Sequence, residues 1–166
     1  IRFDRHMLRQ IIQNGVPSGF QNSVIAIANV FVQSNINAFG KMAMAGCGAY
    51  SKVEGFAFLP VTCFTMAITT FVGQNLGAKQ YDRAKKGAKF GILCSIFIAE
   101  LIGITIYTAA PVLIAAFNRD PDVIHYGVMQ ARTIALFYCL LAFTHCIAAV
   151  LRGSGNAAVP MIVLLC

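Results

Sequence analysis

The sequence predicts an all-α protein, a polytopic transmembrane helix bundle. Hydrophobic residues occupy 58% of the 166 positions and charged residues only 11%, whereas an ordinary soluble domain has about 25% charged residues. The mean hydropathy is +0.70 and the apolar residues form long runs, so lipid is the expected solvent. A soluble protein with a buried helical core is the alternative, and this composition disfavours it because too few polar residues remain to cover its surface.

Four complete apolar segments and the start of a fifth predict the helices, designated A to E. They extend over residues 8–38, 44–72, 88–117, 123–151 and, for the truncated segment E, 157–166. Each complete segment exceeds the roughly 20 residues that a helix needs to span hydrocarbon. Because segment E ends within an apolar run and the first residue is not Met, we expect residues 1–166 to be a partial transmembrane lobe.

Basic residues are distributed unequally between the two sides of the predicted bundle. One side, formed by the segment before residue 8, the loops 73–87 and 152–156 and their flanks, holds nine of them: Arg2, Arg5, Arg9, Lys79, Arg83, Lys85, Lys86, Lys89 and Arg152. The opposite side holds two, Lys41 and Arg119. The positive-inside rule therefore predicts a multi-pass protein of the cell (plasma) membrane with the first side cytoplasmic. This asymmetry explains most of the net charge of +7, so the bilayer is the expected partner and a nucleic acid is not.

Helix B contains a polar stripe that ends in a carboxylate. At about 100° per residue, Glu54, Thr62, Thr65 and Thr69 fall within an arc of roughly 80°. A carboxylate inside a membrane is costly, and it can bind a proton or a cation where the site is wet. The alternative is that Glu54 pairs with Lys52 or Lys41 near the headgroups while the threonines bond to their own helix.

Helix A contains an amide-bearing face. Its polar side chains occupy an arc of roughly 160° and are Asn14, Ser18, Gln21, Asn22, Asn29, Gln33 and Asn35. Such a face is unsuited to lipid, so it is expected either to line a cavity or to hydrogen bond to another polar helix.

Two further ionisable residues lie inside apolar segments, Glu100 in helix C and His145 in helix D. Each is either a proton carrier or an interhelical hydrogen-bonding residue. The six cysteines show no CxxC spacing and are expected to serve as small packing residues. No nucleophile, zinc or phosphate-loop motif is present, so neither an enzyme nor a cofactor or metal site is expected.

Four motifs in order resemble those of the multidrug and toxic compound extrusion (MATE) transporters, especially the bacterial branch. They are Gly15-Val16-Pro17 in helix A, the segment 71–78 (FVGQNLGA) at the end of helix B, the basic run 83–87 (RAKKG), and the segment 151–160 (LRGSGNAAVP) after helix D. Residues 21–22 (QN) and 50–56 (YSKVEGF) are more similar to the second, C-terminal lobe of that family. The resemblance implies that helices A to D are the seventh to tenth of twelve helices in two six-helix lobes.

The resemblance also implies a function, the export of small organic cations driven by inward movement of H+ or Na+. The two lobes, this one and the other lobe of the same polypeptide, would then rock around a central cavity. Characterised branches place an acid in the seventh helix and another in the tenth, whereas here helix A has amides and helix D has His145. Coupling is therefore expected to depend on Glu54 or on the other lobe. The alternatives are a lipid-linked oligosaccharide flippase of the same superfamily, whose cavity would be strongly cationic, and a non-transporting membrane scaffold.

Overall fold

The computed structural model describes residues 5–165, with the side chains at positions 6, 10, 14 and 163–165 outside that description. This range forms six helices, which are α1 (Arg5–Ala38), α2 (Lys41–Gly77), α3 (Tyr81–Ala115), α4 (Pro121–Ala135), α5 (Tyr138–Gly153) and α6 (Ala158–Leu165). No strand occurs between residues 5 and 165, and the predicted all-α fold class is confirmed. The side chain of Asn14, predicted to belong to the amide face, lies outside the described residues.

The hydrophilic stretch 73–87 is mostly helical, which corrects the prediction that it forms a loop. Only residues 78–80 lie between α2 and α3. The reversal depends on Lys79, whose φ is 59°, and on the Gln80 amide, which donates to the Asn75 carbonyl at 2.8 Å. A left-handed residue followed by such a bond is a helix C-terminal motif that satisfies the last carbonyl groups. Hydropathy did not predict this because it detects only the part of a helix that is apolar enough to lie in hydrocarbon. Helices α2 and α3 continue beyond that part.

Helix D is broken into α4 and α5, which meet at 56° across Leu136 and Phe137. Neither residue is Gly or Pro, the usual causes of a kink, so the break originates in tertiary packing. A Cβ on Gly103 of α3 would lie 2.9 Å from the Ala135 carbonyl oxygen, which shows how closely the α3 backbone approaches the end of α4. Tyr138, the first residue of α5, is fully buried beside it.

Helices α2 to α5 form the packed part of the chain, and small residues bring them together. A Cβ on Gly46 would lie 2.6 Å from the Val123 carbonyl oxygen, and one on Gly127 would lie 3.0 Å from the Gly46 carbonyl oxygen. At the other end of the bundle, a Cβ on Gly153 would lie 2.7 Å from the Thr69 carbonyl oxygen. The start of α2 thus meets the start of α4, and the last third of α2 meets the end of α5, so α2 runs parallel to the α4–α5 pair, and small residues allow these membrane helices to pack closely.

The outer surface of the bundle is apolar. Large side chains such as Phe56, Phe97 and Val112 are more than 70% exposed, and a surface of this kind suits contact with hydrocarbon. By length and hydropathy α2 and α3 can each cross a membrane, and α4 with α5 gives a third span if the broken pair counts as one.

Helix α1 does not reach the hydropathy of a membrane span, although the sequence predicts four complete spans. It is 34 residues long, so length is not the reason. Its amide side chains lower its hydropathy. Its main contacts are with α6 and the start of α2, and most of its surface is exposed.

Candidate functional site

The interior of the bundle contains a buried pair of tyrosines. The hydroxyl oxygens of Tyr50 on α2 and Tyr138 on α5 are 3.4 Å apart, and both side chains are buried. Tyr138 stands next to the break between α4 and α5, so the pair ties α2 to that break. The sequence analysis missed this pair because only the packing of α2 against α5 brings together two residues that are 88 positions apart.

Glu54 lies one helical turn after Tyr50 and is half-buried. Its carboxyl group is within electrostatic range of both phenols. Lys52, one of the two predicted partners, instead places its ammonium group 5.6 Å from the centre of the Phe117 ring. Within residues 5–165 no ion pair to Glu54 is formed, so the predicted lysine pairing is not what holds this carboxyl group.

The threonine stripe on α2 bonds largely to its own helix. The donor–acceptor pairs are Thr62 to the Leu59 carbonyl at 2.7 Å, Thr65 to the Thr62 carbonyl at 2.7 Å, and Thr69 to the Thr65 carbonyl at 2.8 Å. Thr69 also donates to the Ala149 carbonyl of α5 at 3.2 Å. Each hydroxyl retains acceptor capacity, so the stripe can still contact a donor.

The end of this stripe that carries Thr65 and Thr69 borders an open cavity of about 260 Å³. Thr65 and Thr69 line it together with Arg152 from the end of α5. Arg152 is half-buried, so a cation stands beside the threonines at this end while Glu54 stands at the other. The stripe therefore has opposite charges at its two ends.

His145 does not join Glu54 and the threonines through a hydrogen bond. Its ring packs edge-on against Phe58 of α2, with ring centres 5.1 Å apart and planes at 77°, and the side chain is half-buried. Glu100 on α3 has a buried carboxyl oxygen, Oε2, that finds no hydrogen-bond partner among the described residues. Among the described residues, Glu100 therefore lacks the interhelical hydrogen bond that was one of its two predicted roles.

The amides of α1 are not brought together with Glu54. Gln21 is buried, whereas Asn22, Gln33 and Asn35 are exposed. The Gln33 side chain donates to the Asn37 side-chain oxygen at 3.0 Å, and the Asn35 side chain donates to the Phe31 carbonyl at 3.0 Å.

A cavity of about 460 Å³ separates α1 from α2 and α4. On the α1 side it is lined by Val32 and Ile36. The amides Gln33 and Asn35 lie between these two residues in the sequence. Gln33 and Asn35 do not line it. Helix α1 thus lines this cavity with Val32 and Ile36, while Gln33 and Asn35 are exposed outside it.

A bundle of apolar helices with an exposed apolar surface, two helices long enough to cross a membrane and a broken third span is the architecture of a polytopic membrane protein. The chain belongs to the MatE family, whose model matches residues 17–166. This match confirms the predicted family; assignment to the second lobe stays a prediction.

Curated relatives of the chain include bacterial probable multidrug resistance proteins and an FAD transporter. It is 23% identical to the probable multidrug resistance protein YoeA of Bacillus subtilis over 98% of the chain, and 28% identical to the probable multidrug resistance protein NorM of Thermotoga maritima over 93%. An FAD transporter of Shewanella oneidensis is 23% identical over 90%. These matches cover 35%, 33% and 33% of the relatives, so the chain spans about a third of their length.

The fold is also that of a solved transporter. A transporter of the MOP superfamily from Pyrococcus furiosus superposes with a TM-score of 0.88 at 18% sequence identity, over 94% of this chain and 34% of the solved one. The binding pocket of that transporter has a reverse polarity, which suggests a different function for it. At this identity the likeness establishes the helix arrangement of the chain.

Proposed function

We propose that the natural gene product carrying this sequence is an efflux antiporter of the cell membrane that exports small organic cations in exchange for H+ or Na+. Membership of the MatE family and the multidrug resistance proteins among its relatives support export. The observation on which coupling rests is Glu54, a half-buried carboxyl group in a membrane helix with no ion pair within residues 5–165. Such a group exchanges a proton or a cation when water reaches it.

The exposed amides of α1 are assigned to the substrate pathway. Asn22, Gln33 and Asn35 are exposed, and amide groups in contact with lipid would leave hydrogen-bonding capacity unused. A second lobe of the same polypeptide facing α1 would enclose these amides in a polar cavity. The two lobes would then rock about it in alternating access, with the segment before residue 8 on the cytoplasmic side.

Uptake by inverted membrane vesicles tests the proposal. Vesicles that contain the natural gene product receive a fluorescent organic cation under an imposed proton or sodium gradient, as wild type and as Glu54→Gln. The wild type is expected to accumulate the cation under one gradient, and Glu54→Gln is expected to abolish that accumulation at equal expression. Asp82→Asn is the matched control because it makes the same change of charge at an exposed site in the first turn of α3.

The outcomes separate the parts of the proposal. Full uptake by Glu54→Gln would reject Glu54 as the coupling group while leaving the antiporter in place. Absence of uptake for every cation, under both gradients, would reject organic-cation export. Flavin nucleotide is a useful additional substrate, because one relative is an FAD transporter and Arg152 borders the threonine cavity.

A further inference from the structure

A second cleft lies at the opposite end of the bundle from the Tyr50–Tyr138 pair, where α2 and α5 end and α3 begins. It has a volume of about 360 Å³. Its apolar lining comes from all three helices and consists of Val72, Leu76, Ala84, Ala88, Ile92, Ile147, Val150 and Leu151. This volume is within the range of small-molecule sites.

The rim of the cleft is basic. Lys85 and Lys89 both line it, and residues four apart on a helix stand one above the other on the same face. Both are exposed, and within the described part of the chain neither forms an ion pair. Tyr81, which is 64% exposed, adds a phenolic hydroxyl at the same rim.

The remaining polar residue of the lining, Ser154, has no hydroxyl proton available for a ligand. Its hydroxyl already donates to the Leu151 carbonyl at 2.8 Å. The cleft therefore offers an apolar floor and a rim of two ammonium groups and one phenol. A ligand that satisfies both parts must have a hydrocarbon portion and an anionic head.

The apolar floor and basic rim distinguish three classes of ligand. An organic cation would be repelled by two lysines. A free phosphate or nucleotide would leave the apolar floor unfilled. An anionic phospholipid matches both, since its acyl chain can enter the cleft while its phosphate meets the lysines, and basic pockets between membrane helices are known to bind anionic headgroups.

We propose that the cleft between α2, α3 and α5 is a binding site for one anionic phospholipid. The phosphate contacts Lys85 and Lys89, and an acyl chain lies along Val72, Ile92 and Ile147. The cleft is at the end of the bundle where hydrocarbon meets headgroups, because the helices reverse there at residues 78–80. The proposal does not depend on the transported substrate.

Native mass spectrometry of the natural gene product in detergent, titrated with phosphatidylglycerol or phosphatidylethanolamine, tests the proposal. The wild type is expected to retain phosphatidylglycerol in preference to the zwitterionic lipid. In the double variant Lys85→Gln/Lys89→Gln the apparent Kd for phosphatidylglycerol should rise about tenfold or more, since each lysine near a headgroup contributes to anionic-lipid affinity. The matched control is Arg83→Gln/Lys86→Gln, which removes two charges from the same end of α3 at exposed residues that do not line the cleft.

A photoreactive phosphatidylglycerol with a diazirine in its acyl chain gives an independent readout. Cross-links are expected at Ile92 and Ile147, and they should be lost in Lys85→Gln/Lys89→Gln but kept in the control. Equal weakening of both double variants would mean general attraction to a basic surface and would overturn the site. Cross-links confined to other helices, as expected if another part of the polypeptide covers the cleft, would overturn it as well.

Discussion

Substitution of Gly46 tests whether close backbone contact holds α2 against α4. Gly46→Ala adds one methyl group, and its carbon would lie 2.6 Å from the Val123 carbonyl oxygen and 2.9 Å from the Gly127 amide nitrogen. Both are backbone atoms, so no side chain can rotate away. Helix α4 must move until these distances reach the 3.4 Å at which ordinary van der Waals contact begins.

The expected magnitude comes from two opposing effects. Replacing a helical Gly by Ala favours the helix by about 0.8–1 kcal/mol, whereas overpacking a tight contact costs about 1–3 kcal/mol. Gly48→Ala isolates the first effect, because a Cβ on Gly48, on the same helix, meets nothing within 4 Å. The free energy of unfolding of the two variants should therefore differ by about 1–3 kcal/mol, with Gly46→Ala the less stable.

The assay is thermal unfolding of the natural gene product in detergent, followed by fluorescence-detected size-exclusion chromatography. One kcal/mol corresponds to about 2–4 °C in Tm for a soluble chain of 150–250 residues and to less for a longer one. Gly46→Ala is expected to lower Tm relative to Gly48→Ala by a few degrees. Equal Tm values for the two alanine variants would refute the conclusion that the Gly46 contact determines the position of α4.

Three further predictions follow from the site. Tyr50→Phe should lower the free energy of unfolding by about 0.5–1.5 kcal/mol because it leaves the other buried phenol without its partner. In a double-mutant cycle of thermal unfolding, Tyr50→Phe/Tyr138→Phe should lower that free energy by less than the sum of the two single substitutions. Thr69→Val should destabilise by about 0.5–1 kcal/mol, measured by the same thermal assay, because it removes the bond to the Ala149 carbonyl of α5. Lys86→Cys should react with a membrane-impermeant maleimide only after cells are permeabilised, since that end of the bundle is predicted to be cytoplasmic.

These predictions have matched controls. Thr62→Val removes a hydroxyl whose bond stays within α2, so the interhelical contribution of Thr69 is the difference between the two variants. Arg119→Cys lies at the opposite end of the bundle and should be labelled in intact cells, with the wild type as the baseline for the native cysteines. Additive effects of the two tyrosine changes, equal effects of the two threonine changes, or labelling of Lys86→Cys in intact cells would each contradict the corresponding prediction.

Hydropathy predicted an all-α bundle, which the structure confirms, because burial in lipid requires continuous apolar runs. It did not predict the break at Leu136 and Phe137, since neither residue disfavours a helix and the bend depends on the approach of Gly103 to Ala135. It also assigned 73–87 to a loop, although α2 and α3 continue to Gly77 and from Tyr81. Both errors concern properties that hydrophobicity along the chain does not encode.

The polar residues of the candidate site were predictable individually but not as an arrangement. Periodicity placed Glu54 and the threonines on one face of α2, and the structure shows that Thr62 and Thr65 bond within their own helix, which the sequence left as an alternative. Tyr138 was not predictable as a neighbour of Glu54, since its position depends on how α5 packs. Whether these residues form a transport pathway stays a prediction.

Helix α1 gives the strongest physical reason to place a polar compartment beside this bundle. The bonds from Gln33 to Asn37 and from Asn35 to the Phe31 carbonyl use only part of the capacity of each amide, which has two N–H donors and an acceptor oxygen. In hydrocarbon the unused groups would each cost free energy, since no water is present to satisfy them. Within residues 5–165, neither amide forms a hydrogen bond to α2, α3, α4 or α5. Water or a second polar surface facing α1 would satisfy them, and this is the arrangement that the proposed alternating access uses.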